Sequence, residues 1–132
     1  MNSFNFENRR IYIDVEINGN KRTVMWDSGA SVFDLITSKS DFEKLKKTNA
    51  IIQEGEGNQM GRKLKIFTAD SESNMTIAGK KIALHNVTYI EGFPWFIKLL
   101  FSVSGMEGMI GNNSFRSEIL FLDCSSELFT IL

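Results

Sequence analysis

The stretch TVMWDSGASVFDLI, residues 23–36, decides how the rest of the chain is read. It sets one carboxylate, one hydroxyl and one glycine, Asp27-Ser28-Gly29, between two runs of apolar, β-favouring residues. An acid at the end of a buried strand costs free energy unless hydrogen bonds or a second charge compensate it. Asp27 therefore has either a structural or a chemical reason to be there. The structural reason is a turn capped by the aspartate's own side chain, a common use of Asp-Ser-Gly. The chemical reason is catalysis.

Upstream, Ile11, Ile13, Val15 and Ile17 alternate with Tyr12, Asp14, Glu16 and Asn18, the period of a strand with one buried face. Asn18-Gly19 marks a hairpin turn. The return strand runs from Arg22 to Trp26 and stops at Asp27, where Gly29 permits a backbone turn that other residues resist. Downstream, Val32 to Ile36 reads as a short strand. Ser40 with Glu43 has capping-box form, which starts a short helix over Asp41 to Lys47 with Phe42 and Leu45 on one face.

Most of the remainder is β. Gly55, Gly57 and Gly61 punctuate a polar stretch between Ile51-Ile52 and Leu64 to Thr68, read as a mobile hairpin or loop. Met75 to Ile77 and Ile82 to Leu84 flank Ala78-Gly79-Lys80 as a second hairpin, continued by Val87 to Ile90. An irregular apolar region from Glu91 to Gly108 leads into Met109-Ile110-Gly111, which is followed by a short polar segment that suits one helical turn and by a last strand pair from Ile119 to Leu132. Many short strands with turn signals and one or two short helices predict a small, closed or folded-over β domain.

The totals narrow the function. With 132 residues the chain suits one domain burying roughly two thirds of its unfolded surface, so a site needing two lobes must draw on a partner chain. The formal charge of -1, with 15 basic and 16 acidic residues interspersed, gives no grip on nucleic acid or anionic lipid. The single Cys124 excludes an internal disulfide and reads as a buried apolar filler. The start, MNSFNFENRR, lacks an apolar signal core, and the run from Phe93 to Phe101 is broken by Lys98 and too short to span a bilayer. The chain as given therefore reads as soluble and without a membrane partner, which equally suits a piece cut from a longer, exported protein. His85 has no cysteine or second histidine as co-ligand, so no metal site is expected.

Read together, these segments resemble a retropepsin-like aspartic protease, the one-domain type that works as a homodimer. The resemblance covers Ile11 to Leu132. Asp27-Ser28-Gly29-Ala30 is similar to the family's Asp-Thr/Ser-Gly-Ala signature, the glycine-bearing hairpin falls where the flap belongs, and Met109-Ile110-Gly111 resembles the motif that crosses behind the catalytic loop. The tripeptide is common on its own. It gains weight from its flanking strands and from Met-Ile-Gly about eighty residues later.

The resemblance implies a closed β-barrel of the acid-protease type over residues 1–132, and an aspartic endopeptidase subunit hydrolysing peptides or proteins without metal or organic cofactor. Catalysis is expected from Asp27, Ser28 and Gly29, with Ser28 reaching across the dimer to lock both loops. Ala30, Gly55 and Gly57 are expected to meet substrate, and Met109, Ile110 and Gly111 to be structural. Ala30 stands where pepsin-like enzymes often carry a serine that donates to the catalytic carboxylate, which predicts a mildly acidic optimum. Trp26, bulkier than the residue usual before the aspartate, is expected to pack under the loop.

Asp34 and Asp123 read as structural or solvent-facing, Asp123 at a place where the family often has an aspartate. The run from Phe93 to Phe101 suits core packing or the substrate cleft. Leu128 to Leu132 suits either a dimer sheet or an internal edge strand. Two other functions stay open: a catalytically silent peptide-binding or dimerisation module on the same fold, and one lobe of a bilobal protease.

Overall fold

The computed structural model of the chain describes residues 2–7, 10–27, 33–59, 61–92, 108–115 and 118–132. In chain order these form strands β1 (Asn2–Ser3), β2 (Asn5–Glu7), β3 (Arg10–Ile17), β4 (Asn20–Trp26) and β5 (Leu35–Ile36), then helix α1 (Lys39–Leu45). Strands β6 (Gln53–Gln59), β7 (Arg62–Asp70), β8 (Asn74–Ile77), β9 (Lys80–Ala83), β10 (Asn86–Glu91) and β11 (Met109–Ile110) follow. A 3₁₀ turn, η1 (Asn112–Phe115), leads to β12 (Leu120–Asp123) and β13 (Leu128–Ile131).

The alternation in β3 does what its period predicts: Ile11, Ile13, Val15 and Ile17 are buried, while Asp14 and Glu16 are exposed. Its hairpin with β4 runs in register from Ile11↔Trp26 to Ile17↔Asn20. The turn between them takes φ 51° at Asn18 and 83° at Gly19, left-handed angles whose twist matches the flanking strands. Ala78 and Gly79 repeat this geometry between β8 and β9, at φ 54° and 78°. The polar stretch around Gly55 and Gly57 is a regular hairpin, with β6 pairing β7 from Gln53↔Thr68 to Gln59↔Arg62.

Two sheets result. The larger has the order β6-β7-β10-β5-β11-β4-β3-β8-β9, with β2 added against β3; the smaller is β1-β13-β12. Ile13, Val24, Leu35, Phe42, Met75, Val87, Ile110 and Phe129 belong to one continuous buried cluster. Tyr89 is stacked on Phe67 at 4.6 Å and meets the edge of Phe42 at 4.7 Å, which fastens α1 onto β10 and β7.

Several expectations are corrected. The closed barrel is absent from the described residues: the hydrogen-bonded order is open, ending on β6 at one side and β9 at the other. The strand expected from Val32 is ordered as β5 at Leu35–Ile36 only, and residues 28–32 lie outside the described residues, as does the run Phe93 to Phe101. Helix α1 begins two residues earlier than Ser40 with Glu43 suggested. Its cap is Ser38, whose hydroxyl accepts from the Asp41 N–H at 3.2 Å, because Thr37 is still tied to the sheet through its N–H to the Thr88 carbonyl. Cys124 is exposed, not buried, since it falls in the turn after β12. Strands β1 and β2 carry too little apolar pattern to be seen in advance. Finally, β13 is the central strand of its sheet, paired to β1 through Asn2↔Phe129 and to β12 through Phe121↔Thr130.

Asp123 closes the β12–β13 turn. Its carboxylate accepts from the Ser125 hydroxyl at 2.7 Å, the Ser125 N–H at 3.1 Å and the Ser126 N–H at 3.3 Å. Hydrogen bonds from Ser125, then Ser126, hold its carboxyl below the usual aspartate range. A carboxyl depressed in the folded state contributes stability that is present above its unfolded value and lost as pH falls through the folded one. Acid melting curves of Asp123→Ala are accordingly expected to slope less steeply below the aspartate range than those of the parent. A second measurement separates the two candidate caps: Ser38→Ala is expected to cost about 1 kcal/mol in denaturant unfolding, and Ser40→Ala almost nothing.

Candidate functional site

The position of Asp27 is set by a two-residue strand. Strand β11 lies between β4 and β5, the strands on either side of the Asp27 loop. It runs parallel to β4 (Met109↔Met25, Ile110↔Trp26) and antiparallel to β5 (Met109↔Ile36, Ile110↔Leu35). Strands β4 and β5 are therefore separated in the sheet by the width of β11. The ladder extends at both ends: the Met25 N–H donates to the Gly108 carbonyl at 3.0 Å, and the Asp27 N–H to the Ile110 carbonyl at 2.9 Å. Gly108 sits in a tight place, where a Cβ would stand 3.1 Å from the Ile36 carbonyl oxygen and 3.3 Å from a Leu35 methyl.

Asp27 is half-buried at the mouth of this arrangement. Before it, Trp26 packs against the core and its indole Nε1–H donates to Asn112 Oδ1 at 3.0 Å. After the loop, Asp34 has 0 % of its surface exposed. Its Oδ2 accepts from the His85 N–H at 2.5 Å and the Asn86 N–H at 3.3 Å, and its Oδ1 accepts from the Asn113 amide. Its backbone is held too: the carbonyl accepts from the Gly111 N–H at 3.2 Å and the Ser114 hydroxyl at 3.4 Å, while its N–H donates to Asn86 Oδ1 at 3.3 Å.

The structure thus brings Asp27, Met109, Ile110 and Gly111 together. Ser28, Gly29 and Ala30 lie outside the described residues. Gly55 and Gly57 sit on the edge strand β6, with β7, β10, β5 and β11 between it and β4. Gly57 is closely packed, since a Cβ there would come within 3.2 Å of the Ile66 Cδ1. Among the described residues no group of three His, Cys, Asp or Glu side chains converges on a metal position, and no helix is long and apolar enough to cross a membrane.

Sequence reasoning placed Asp34 as structural or solvent-facing, and the structure selects the first. It missed the partnerships of Asp34 with Asn113 and of Trp26 with Asn112. A lone acid within Phe33-Asp34-Leu35-Ile36, and two amides directly after Met-Ile-Gly, were the available signals.

No family model matches the chain, and no curated protein matches it. Among solved structures it is similar to the crystal structure of a retropepsin-like aspartic protease from Rickettsia conorii, with a TM-score of 0.57 and 17 % sequence identity. The likeness covers 98 % of this chain and 91 % of that one. It shows a mainly β fold of the retropepsin-like kind.

Removing the wholly buried Asp34 carboxylate takes the acceptor from three N–H donors, at about 1–3 kcal/mol for each left unsatisfied. Asp34→Ala is expected to lower unfolding free energy by about 3 kcal/mol or more, measured by denaturant titration. Asp14→Ala, which removes an exposed acceptor of the Thr23 hydroxyl, is expected to cost less than about 1 kcal/mol on the same scale.

Proposed function

We propose that residues 1–132 act as one aspartic endopeptidase subunit, and that two copies place their Asp27 carboxylates side by side to hydrolyse peptide bonds. The observation that carries this reading is the half-buried Asp27, held by its N–H to the Ile110 carbonyl directly after β4, beside the two-residue strand β11 that separates β4 from β5. The fold shared with a retropepsin-like structure supports the same reading.

The chemistry follows from pairing two such acids. One carboxylate cannot both activate a water and protonate the substrate carbonyl, so a chain with one such loop needs a second copy. Two carboxylates about 4 Å apart at an effective dielectric of about 20 repel by about 4 kcal/mol, which separates their titrations by about 3 pH units. Over that interval the pair holds one proton. The ionised member takes a proton from the attacking water, and the protonated member stabilises the oxyanion that forms. Ser28 would lock the two loops across the dimer. The β6–β7 hairpin, with side-chain-free Gly55 and Gly57, offers backbone groups to an extended peptide.

A second reading has its own observation. Both edges of β13 are occupied within the chain, by β1 and β12, so this strand is not open to a mate. That arrangement favours a silent peptide-binding module or one lobe of a bilobal protease. The dimer has another edge at its disposal: β12 ends the small sheet, with Ile119 and Phe121 exposed beside it.

The deciding experiment is cleavage of a diverse peptide library from mildly acidic to neutral pH, at protein concentrations spanning dimer dissociation. The subunit reading expects a bell-shaped profile, specific activity that falls on dilution, and a loss of about 10²–10⁴-fold in Asp27→Asn, the contribution of a positioned acid–base group. Absence of cleavage by the folded parent at every concentration favours the second reading.

A further inference from the structure

We propose that Asp34, Asn112 and Asn113 form a clamp on both ends of the Asp27 loop, making them positioning residues for the Asp27 carboxylate. The inference deepens the reading of Asp27 as the reactive acid and rests on it. Five consecutive residues, 110–114, each grip one end of that loop. Ile110 takes the Asp27 N–H and Asn112 takes the Trp26 indole, on the entry side. Gly111, Asn113 and Ser114 hold Asp34, on the exit side.

The alternation has a geometric cause. Successive residues of a 3₁₀ turn point about 120° apart, so adjacent asparagines in η1 reach in different directions. Asn112 goes to β4 and Asn113 to the chain entering β5. The loop ends thereby share one support, which follows directly on β11.

The chemistry at position 34 argues for positioning over simple core filling. Among the described residues the donors reaching its carboxylate are all neutral: two backbone N–H groups and one amide. A carboxylate accepts only, which matches three converging donors. An apolar side chain of similar volume would leave all three donors without their acceptor. What the buried acid adds is direction: its Oδ2 is fixed by residues 85 and 86 and its Oδ1 by Asn113, so the exit of the loop has one admissible position. A misplacement of about 1 Å at a reacting group costs on the order of 10²-fold in rate, which makes such a constraint worth its burial.

The test exchanges the two polar partners. Asn113→Asp sets a carboxylate against the Asp34 carboxylate, whereas the double variant Asp34→Asn with Asn113→Asp restores one donor facing one acceptor and keeps the His85 and Asn86 N–H groups satisfied. Asn112→Ala and Trp26→Phe each release the entry side without adding charge. Three readouts are taken on each variant: peptide cleavage, the carbon-13 NMR titration of the Asp27 carboxyl, and the NMR signals of the Trp26 indole and the His85 and Asn86 amides.

Asn113→Asp is expected to lower kcat by about 10–100-fold with KM within about twofold. The loss should shrink as falling pH protonates one of the paired acids, and the double variant should recover most of it. The Asp27 titration should shift in Asn113→Asp and return in the double variant. Asn112→Ala and Trp26→Phe should lower kcat while the melting temperature stays near the parent's.

The clamp is overturned if folded Asn113→Asp leaves both the Asp27 titration and kcat unchanged, or if the double variant restores stability without restoring either. If the parent cleaves no peptide while the Asp27 titration follows the single and double variants as described, the clamp stands and the peptidase reading falls.

Discussion

The structure depends on a strand only two residues long, inserted between two strands that are close in sequence. Met109–Ile110 cannot persist alone, because so short a strand has too few hydrogen bonds to offset the entropy of ordering it. It persists because β4 pairs with it on one side and β5 on the other, and because Ile110 is wholly buried. Its insertion has a consequence for the chain around it. Strands β4 and β5 are held apart by the width of β11, and the acid at residue 27 follows directly on β4. Gly108 suits the same crowded place, where a Cβ would meet the Ile36 carbonyl oxygen at 3.1 Å.

A second constraint follows from burial. Every polar group drawn into this crossing must find a partner, since an unsatisfied one costs more than a hydrogen bond returns. Among the described residues each buried side-chain nitrogen or oxygen has one. Asp34 is satisfied by residues from two separate parts of the chain, 85–86 and 111–114, and Thr88, equally buried, shares a hydrogen bond of 2.9 Å with Thr68 on the neighbouring strand. Such pairs add little net stability, but they exclude alternative registers: a slip of one residue in β5 or β10 would strand a carboxylate or a hydroxyl in the core.

Much of this fold was legible in the sequence because it is local. The β3–β4 and β8–β9 hairpins follow from alternation and from Asn-Gly and Ala-Gly turns, and the 3₁₀ turn follows from a short polar segment after Met-Ile-Gly. What was not legible is non-local. Strands β1 and β2 acquire their conformation from β13 and β3, not from any pattern of their own. The start of α1 was misplaced because Ser38 and Ser40 are equally good caps by composition. Only the pairing of Thr37 with β10 decides between them. At the site, Asp27 and Met109-Ile110-Gly111 stand out from the sequence, whereas Asp34 and Asn112-Asn113 acquire meaning only when residues almost eighty positions apart are brought into contact.

These two constraints bear on how a half-site could work. On the two-carboxylate reading, each subunit supplies one acid, and the pair functions only when both point at the same water. Reactive groups must be held to about 0.5 Å for this kind of chemistry. If the loop were ordered only on association, its conformational entropy would be charged against dimer affinity. A chain whose loop ends are already fixed by its own β11 and η1 avoids that charge. The buried carboxylate at Asp34 then has a physical role that core packing alone does not give it: it contributes to the geometry of an acid seven residues away, and its burial is tolerated because three neutral donors meet it.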